Sequence, residues 1–322
     1  DDVVQLIRGK GGTVVRLQVL PVGAAPGSPE KLVEFTRGKV TLEAQAARKE
    51  LKIIKRGDRE HRIGVINVPG FYSDYDAQRA GDENYRSTTR DVRRLIEELK
   101  TEKIDGLVMD LRGNGGGFLP EAQSLTGLFV DRGPVVQVQF SNGEKEVLDD
   151  PDSGVAYNGP LVVLIDRFSA SASEIFAGAI QDYRRGVVVG QRSFGKGSVQ
   201  SLLPLGPDAA LKLTTARYFT PSGKSVQEGG IKPDIAVPQI SDPDLRKRAM
   251  RSYRESDLRG HLINEIKLDD KDLEKDKLDD PRFKMTPEEL KAKNIKDFQL
   301  YYAVQTLGRT APRSALAAKL KR

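Results

Sequence analysis

Cysteine is absent from the 322 residues, which excludes disulfide bonds, a thiolate nucleophile and metal sites built on cysteine. Tryptophan is absent too, and histidine occurs only twice, as His61 and His261. A Ser-His-Asp triad would have to use one of them, and two histidines are too few for a metal site built mainly on histidine. Both lie among charged residues, so we expect both at the surface. No apolar run approaches the roughly 18 residues that cross a membrane, and we predict no transmembrane segment.

Residues 1–240 carry nearly equal numbers of positive and negative side chains. The net charge is +6, and residues 241–322 hold 20 basic and 15 acidic side chains, which accounts for +5 of it. Mixed charges of this kind are typical of solvated helix faces, so we do not expect nucleic-acid binding. With 38% hydrophobic and 30% charged residues, the composition is that of a globular protein with a buried core.

Short apolar segments alternate with longer amphipathic ones from residue 62 onward, which predicts an α/β core with buried strands. The predicted strands are 63–68, 106–111, 134–140, 161–165, 187–189 and 211–218, and the predicted helices are 88–99, 121–129 and 172–183. A helix at 3–7 and strands at 13–22 and 31–42 predict a small α+β piece before this core. Residues 49–62 are charged and are interpreted as a connector.

The sequence changes character again after Pro243. Thr286 is followed by Pro and, three residues after the cap, by Glu289, which together predict a helix start. A second helix is predicted by an apolar side that comprises Phe298, Tyr301, Tyr302 and Leu307. Gly308 is expected to end this helix, and residues 311–322 are expected to be a loosely held basic tail.

The strand predicted at 161–165 runs into a turn of small residues that contains Ser169, Ser171 and Ser173, and a helix follows. A hydroxyl at a helix start lies near free backbone N–H groups and the positive end of the helix dipole, which stabilise a developing oxyanion. The turn therefore suits a serine nucleophile. The alternative is an ordinary helix-capping serine, and the residues alone do not select one of the three.

A serine nucleophile needs a base, and a desolvated lysine can replace histidine in that role. Lys196 lies between Gly195 and Gly197, which let the backbone approach another element closely. Phe194 and Val199 are nearby, and no acidic residue occurs within eight positions on either side. These apolar neighbours favour a Lys196 amine that is shielded from water.

Two glycine-rich segments carry competing interpretations. Residues 113–118 follow a predicted strand and can turn backbone N–H groups toward an anion, or can be a flexible turn. They lack the third glycine of a dinucleotide-binding loop. Residues 190–196 match the phosphate-binding Gly-x-x-x-x-Gly-Lys pattern, but Gly197 replaces the Ser or Thr that holds magnesium and no clear helix follows.

The glycine-rich turn, the serine turn and the lysine segment, in that order along the chain, resemble motifs of the carboxyl-terminal processing protease family, also called tail-specific proteases. The resemblance is carried by Asp-Leu-Arg-Gly-Asn-Gly-Gly-Gly at 110–117, Ser-Ala-Ser-Ala-Ser-Glu at 169–174 and Phe-Gly-Lys-Gly-Ser-Val-Gln at 194–200. Residues 215–223 and 230–234 agree as well, and the resemblance extends from Asp1 to about Pro238.

The resemblance implies a serine endopeptidase that uses a Ser-Lys dyad to cleave proteins recognised by nonpolar C-terminal tails. Matched by motif position, Ser171 is the nucleophile and Lys196, 25 positions downstream, is the general base. Gln200 is expected to orient the lysine. The backbone N–H groups of Gly117 and Ala172 are expected to form the oxyanion hole. No metal and no cofactor are implied.

The same resemblance implies a ClpP/crotonase-like α/β protease core at 49–240, preceded at 1–48 by the second half of an α+β PDZ domain. Residues 241–322 are expected to form a charged helical C-terminal extension. The expected partners are protein or peptide substrates with nonpolar C-termini, and an adaptor protein or a second copy of the chain. The expected location is the bacterial periplasm or cell envelope.

Two other functions remain open at this point. One is a non-catalytic peptide- or ligand-binding protein on the same fold, and the other is a nucleotide hydrolase that uses residues 190–196. The pair of Ser171 and Lys196 favours the enzyme, because a pure binder has no reason to keep both. Tight tail binding without cleavage would favour the binder, and ATP or GTP that fails to shift the melting temperature would remove the hydrolase.

Overall fold

The computed structural model describes residues 2–20, 27–38, 45–151, 153–206, 209–239, 254–264 and 285–319. The chain divides into two compact units, Asp1–Gln45 and Ala46–Arg322. The described residues beyond 241 belong to the second unit, and the domain boundaries expected at 48 and 240 stay predictions. In the described ranges, no helix is both long enough and apolar enough to cross a membrane.

The first unit is a helix followed by a β-hairpin. Its elements are helix α1 (Asp2–Ile7) and strands β1 (Val14–Val19) and β2 (Lys31–Thr36). The strands pair antiparallel, with Val14 opposite Thr36. The predicted helix and both strands are confirmed, although the strands end at Val19 and Thr36, before the predicted ends at 22 and 42. The assignment to half of a PDZ domain stays a prediction.

The second unit contains the remaining elements. Its strands are β3 (Arg48–Arg56), β4 (Arg59–Asn67), β5 (Gly106–Asp110), β6 (Pro134–Phe140), β7 (Lys145–Asp149), β8 (Leu161–Ile165), β9 (Val187–Gly190), β10 (Ser198–Pro204), β11 (Ala210–Phe219) and β12 (Ile235–Ala236). Its helices are α2 (Tyr75–Arg79), α3 (Thr88–Thr101), α4 (Leu119–Gly127), α5 (Ala172–Asp182), α6 (Pro287–Ala292) and α7 (Phe298–Lys319).

Six strands form one mixed sheet in the order β12-β9-β8-β5-β4-β3. Every neighbouring pair except β3 and β4 is parallel, so the carboxyl ends of the parallel strands meet at one edge. The central strands β5 and β8 are buried at every position, which explains why their sequences are almost continuously apolar. A second, antiparallel sheet has the order β10-β11-β6-β7.

Helices cover both faces of the six-stranded sheet. Helices α3, α4 and α5 pack on one face in the larger apolar core, where Leu107 and Met109 of β5 point. Helix α7 covers the other face, where Val108 points. The residues that α7 contributes to this second core are Phe298, Ala303, Val304 and Leu307. The last helix is therefore part of the hydrophobic core.

The core strands and helices predicted from the sequence are confirmed, with ends that shift by a few residues. The helix predicted at 88–99, for example, is α3 at Thr88–Thr101. The connector predicted at 49–62 is wrong, because β3 and β4 form an antiparallel hairpin around Gly57, whose φ is 60°. Strand β3 lies at the sheet edge and carries charged residues, which hid its alternation in the sequence.

Two expectations for single residues are also wrong. His61 is only 2% exposed, because its side chain lies on the same face of β4 as the buried Ile63. Gly308 does not end the second C-terminal helix, since α7 continues to Lys319. A Cβ at position 308 would lie 2.9 Å from Cδ1 of Ile54, so glycine serves close packing between α7 and β3.

The helix start predicted at Thr286 is confirmed. The Thr286 hydroxyl accepts a hydrogen bond from the Glu289 N–H (3.2 Å), and the Glu289 carboxylate accepts one from the Thr286 N–H (2.9 Å). This reciprocal capping fixes the first turn of α6.

Candidate active site

Ser171 occupies the turn between β8 and α5, at the carboxyl edge of the parallel strands. Its backbone has φ 57° and ψ −115°, a region that residues with a Cβ rarely adopt. Such a conformation costs about 1–3 kcal/mol and persists only where the surrounding structure holds it. Strained strand–turn–helix elbows of this kind expose nucleophilic serines in α/β hydrolases.

The two neighbouring serines of the turn have structural roles. Ser169 and Ser173 are 0% exposed. The Ser169 hydroxyl donates to the backbone oxygen of Leu111 (2.9 Å), and the Ser173 hydroxyl donates to that of Asn114 (2.9 Å). Ser171 is partly exposed, and no backbone carbonyl of the described residues accepts a hydrogen bond from its hydroxyl. Of the three hydroxyls, that of Ser171 is the one available for chemistry.

The glycine turn at 113–117 lies directly against the Ser171 turn. Gly116 has a positive φ of 102°, and a Cβ there would lie 2.8 Å from Ser171 Cβ and 3.1 Å from the backbone nitrogen of Ala172. Gly117 also has a positive φ, of 146°. Both positions require glycine, since a side chain would collide with its neighbours and strain the backbone.

The backbone N–H groups of Gly117, in the glycine turn, and of Ala172, next to Ser171 in the chain, have no hydrogen-bond acceptor among the described residues. Ala172 is the first residue of α5, where helix geometry leaves the N–H groups without a partner. The positive end of the helix dipole lies at the same place. An oxyanion hole needs N–H donors without a protein acceptor, and the assignment of these two groups to that role stays a prediction.

Lys196 is partly buried on a segment that two glycines bring close to another stretch of chain. A Cβ on Gly195 would lie 2.7 Å from the backbone oxygen of Glu228, and one on Gly197 would lie 2.6 Å from the backbone nitrogen of Gln227. No partner within the described residues forms a hydrogen bond or ion pair with Lys196 Nζ. The amine is therefore not held by an acidic partner among these residues.

Glu174 links the serine turn to the lysine segment, and the sequence analysis missed it. It is 0% exposed. Its carboxylate accepts hydrogen bonds from the backbone N–H groups of Ser171 (2.8 Å), Gly195 (2.7 Å) and Lys196 (2.9 Å), and from the Ser193 hydroxyl (2.6 Å). The spacing Ser-x-x-Glu at 171–174 is a capping-box signal, but nothing in the sequence shows that the same carboxylate also binds residues 193–196.

Complete burial raises the pKa of Glu174 from 4.5 to about 7. The four donors oppose this shift because they stabilise the ionised form. The carboxylate thus changes charge near neutral pH, in contact with both candidate catalytic segments.

Gln200 lies apart from these contacts. It follows an irregularity in the pairing of β10 with β11, between Val199 and Gln200, and its side chain is exposed. Nothing described in the structure joins it to Lys196 by a hydrogen bond. Its role in orienting the lysine stays a prediction.

Arg112, at the start of the glycine turn, connects this turn to the C-terminal helix. Its guanidinium binds the Asp297 carboxylate through two contacts of 2.6 and 2.9 Å, and binds Asp110 at 2.7 and 2.9 Å. Asp297 also caps α7 by accepting a hydrogen bond from the Leu300 N–H (3.0 Å). Although burial opposes it, hydrogen bonds to Asp110 and Asp297 raise the pKa of Arg112.

The phosphate-loop interpretation of residues 190–196 does not fit the geometry. Strand β10 follows this segment, whereas a phosphate-binding loop opens a helix whose N-terminus faces the ligand. In the part of the chain that the structure covers, no group of three or more His, Asp or Glu residues is arranged to hold a metal ion.

A strained serine turn at the carboxyl edge of a parallel sheet, close to backbone N–H groups without an acceptor, is an arrangement typical of serine hydrolases. The chain belongs to peptidase family S41, whose family model matches residues 62–237.

Two curated relatives have informative names. The tail-specific protease of Haemophilus influenzae is 37% identical over 315 residues, which are 91% of this chain and 42% of that protein. The carboxy-terminal-processing protease of Bartonella bacilliformis is 36% identical over 263 residues, which are 81% of this chain and 55% of that protein. The chain thus spans about half the length of the curated relatives it matches.

Solved structures agree with this assignment. The photosystem II D1 C-terminal processing protease is 30% identical, has a TM-score of 0.56, and is matched over 78% of this chain and 63% of its own length. An S41 protease of Bacteroides fragilis, with 19% identity and a TM-score of 0.50 over 70% of this chain and 58% of its own, supports the fold alone. The predicted α/β protease fold and the predicted family are confirmed.

Proposed function

We propose that this chain carries the catalytic part of a serine endopeptidase that cleaves proteins recognised by nonpolar C-terminal tails. The observation that carries the proposal is the strained Ser171 turn, with an available hydroxyl beside the unsatisfied N–H groups of Gly117 and Ala172. The names of the relatives, tail-specific and carboxy-terminal-processing protease, support the substrate class.

In the proposed reaction, the Ser171 hydroxyl oxygen attacks the scissile carbonyl carbon and neutral Lys196 accepts the hydroxyl proton. The N–H groups of Gly117 and Ala172 stabilise the negative charge on the former carbonyl oxygen. Lys196 then donates its proton to the leaving amine as the acyl-enzyme forms. A water molecule, deprotonated by Lys196, attacks the ester, and Ser171 regains its proton as the acid product leaves.

The direct test is cleavage of an unfolded reporter protein with a nonpolar C-terminus, followed by gel and mass spectrometry. Ser171→Ala and Lys196→Ala should each abolish cleavage while far-UV circular dichroism stays unchanged. Ser141→Ala and Lys55→Ala alter exposed residues of the same types and should cleave normally. Cleavage that survives Ser171→Ala would refute the assignment, and tail binding without any cleavage would favour a non-catalytic binder.

We further propose the finer assignments that the resemblance implies: half of a PDZ domain at 1–48, a protease core at 49–240 and a helical extension at 241–322. The proposed location is the bacterial periplasm or cell envelope, and bacterial relatives named as tail-specific proteases support it. Fractionation of the source cells against a periplasmic marker protein tests the location. Sedimentation of the purified chain tests whether copies associate, and capture of an adaptor protein tests the other proposed partner.

A further inference from the structure

Tyr218 brings a third side chain to the candidate site. It lies near the end of β11, opposite Val138 of β6, and is 3% exposed. Its hydroxyl donates a hydrogen bond to the backbone oxygen of Lys196. Its backbone N–H donates to the oxygen of Gly197 (2.9 Å). Two consecutive carbonyls of the lysine segment are therefore held by one residue of the antiparallel sheet.

The same hydroxyl lies beside Ser171. Burial raises the pKa of Tyr218 well above its ordinary value, the Glu174 carboxylate raises it further, and the neighbouring Ser171 hydroxyl opposes the shift. The phenol therefore keeps its proton at the pH at which proteins work. Because its single hydrogen is given to the Lys196 carbonyl, the Tyr218 oxygen can act only as an acceptor toward any other neighbour.

We propose that Tyr218 is a positioning residue, which fixes the backbone of Lys196 relative to Ser171. This inference rests on the proposed Ser-Lys function. Glu174 ties the two segments together through their N–H groups, and Tyr218, next to Ser171, binds the Lys196 oxygen. The backbone of Lys196 is thereby held at both its N–H and its C=O group.

The expected effect of losing the hydroxyl follows from this geometry. Tyr218 contacts the two catalytic residues rather than a binding surface, so its hydroxyl should influence the chemical step more than substrate binding. A displacement of a catalytic group by about 1 Å can cost on the order of 100-fold in rate. Substrate contacts remain in place, so KM should change little.

The test compares Tyr218→Phe with Tyr157→Phe in the full chain. Tyr157 is also buried, and its hydroxyl also donates to a backbone carbonyl, that of Pro160 at 3.3 Å. Tyr218→Phe should lower kcat by roughly 10-fold or more, with KM within about 2-fold of the unmutated protein. Tyr157→Phe should leave kcat unchanged. Equal kcat in both variants, or a loss that only follows the folded fraction, would overturn the proposal.

Amide hydrogen exchange over residues 194–198 gives a second readout that needs no cleavage. Exchange in this segment should be faster in Tyr218→Phe than in Tyr157→Phe, because the Lys196 carbonyl loses its partner. Unchanged exchange would refute the positioning role even if no variant cleaves. Failure of Ser171 to react with a fluorophosphonate probe in the unmutated chain would refute the proposed function separately.

Discussion

Gly116 leaves no space for a side chain where the glycine turn meets the serine turn. Gly116→Ala should lower kcat by roughly 100-fold, because the new Cβ, 2.8 Å from the Ala170 oxygen, must push the turn and the Gly117 N–H away from Ser171. Gly113→Ala is the matched control, since its φ of 69° is also positive but nothing lies within 4 Å of its Cβ. Steady-state cleavage kinetics would contradict the prediction if both variants lose activity equally.

Glu174 is the hydrogen-bond acceptor that holds the Ser171 turn and the Lys196 segment together. Glu174→Gln should lower kcat by about 10-fold or more at pH 8, since the new NH₂ group faces N–H donors and must push one of them away. Glu97→Gln is the control, because its carboxylate forms an exposed ion pair with Lys100 on α3. Unchanged kcat in Glu174→Gln would show that its hydrogen bonds do not position the site.

The charge of Glu174 also predicts how stability depends on pH. Because folding raises its pKa from 4.5 to about 7, the folded state binds a proton that the unfolded state has lost between these pH values. This contribution is full below pH 4.5 and is lost as the pH rises through about 7. Relative to Glu174→Gln, the unmutated protein should lose on the order of 3 kcal/mol of unfolding free energy over that range. Urea unfolding curves at several pH values measure the difference, and parallel curves would contradict it.

At this scale, sequence reasoning reached the residues that sit on recognisable local patterns. The serine turn before a helix and the lysine between two glycines are such patterns, whereas the choice of Ser171 among the three serines came from the family resemblance. Glu174 and Tyr218 were missed because their contacts join segments that are distant in sequence, and no local pattern encodes that meeting.

Helix α7 acts on the candidate site through Asp297. Asp297→Ala should destabilise the protein by about 1–3 kcal/mol, because it leaves Arg112 with one partner fewer and removes the cap of α7. Asp297→Asn keeps a capping oxygen and should cost less. Urea unfolding measures both, and equal losses would argue against the cap. An unchanged unfolding free energy in Asp297→Ala would argue that neither the Arg112–Asp297 ion pair nor the cap of α7 stabilises the protein.

Among the elements, the central strands were the most predictable. Strands β5 and β8 are buried on both faces and therefore read as apolar runs. Strand β3 was missed because an edge strand with exposed charges resembles a connector. The helix end expected at Gly308 failed because glycine serves there to let Ile54 approach, and the sequence does not show which use a glycine has.

The two units of the molecule differ in how much they bury. Most positions of β1 and β2 are exposed, whereas β5 and β8 are buried throughout. Amides of the first unit should therefore exchange at least roughly 100-fold faster than those of β5 and β8. Hydrogen exchange with mass spectrometry on the full chain measures this order. Equal protection would mean that the first unit opens only when the whole protein unfolds.

The position of α7 in the chain sets the order in which the enzyme can assemble during synthesis. A ribosome delivers the Ser171 turn and the Lys196 segment well before residues 298–307, which close the second face of the sheet. Until those residues emerge, one apolar face of the parallel strands is exposed to water and Arg112 lacks its ion pair with Asp297. Completion of the hydrophobic core therefore waits until α7 has left the ribosome, and a nascent chain that stops short of α7 lacks one covered face of the sheet that carries the Ser171 turn.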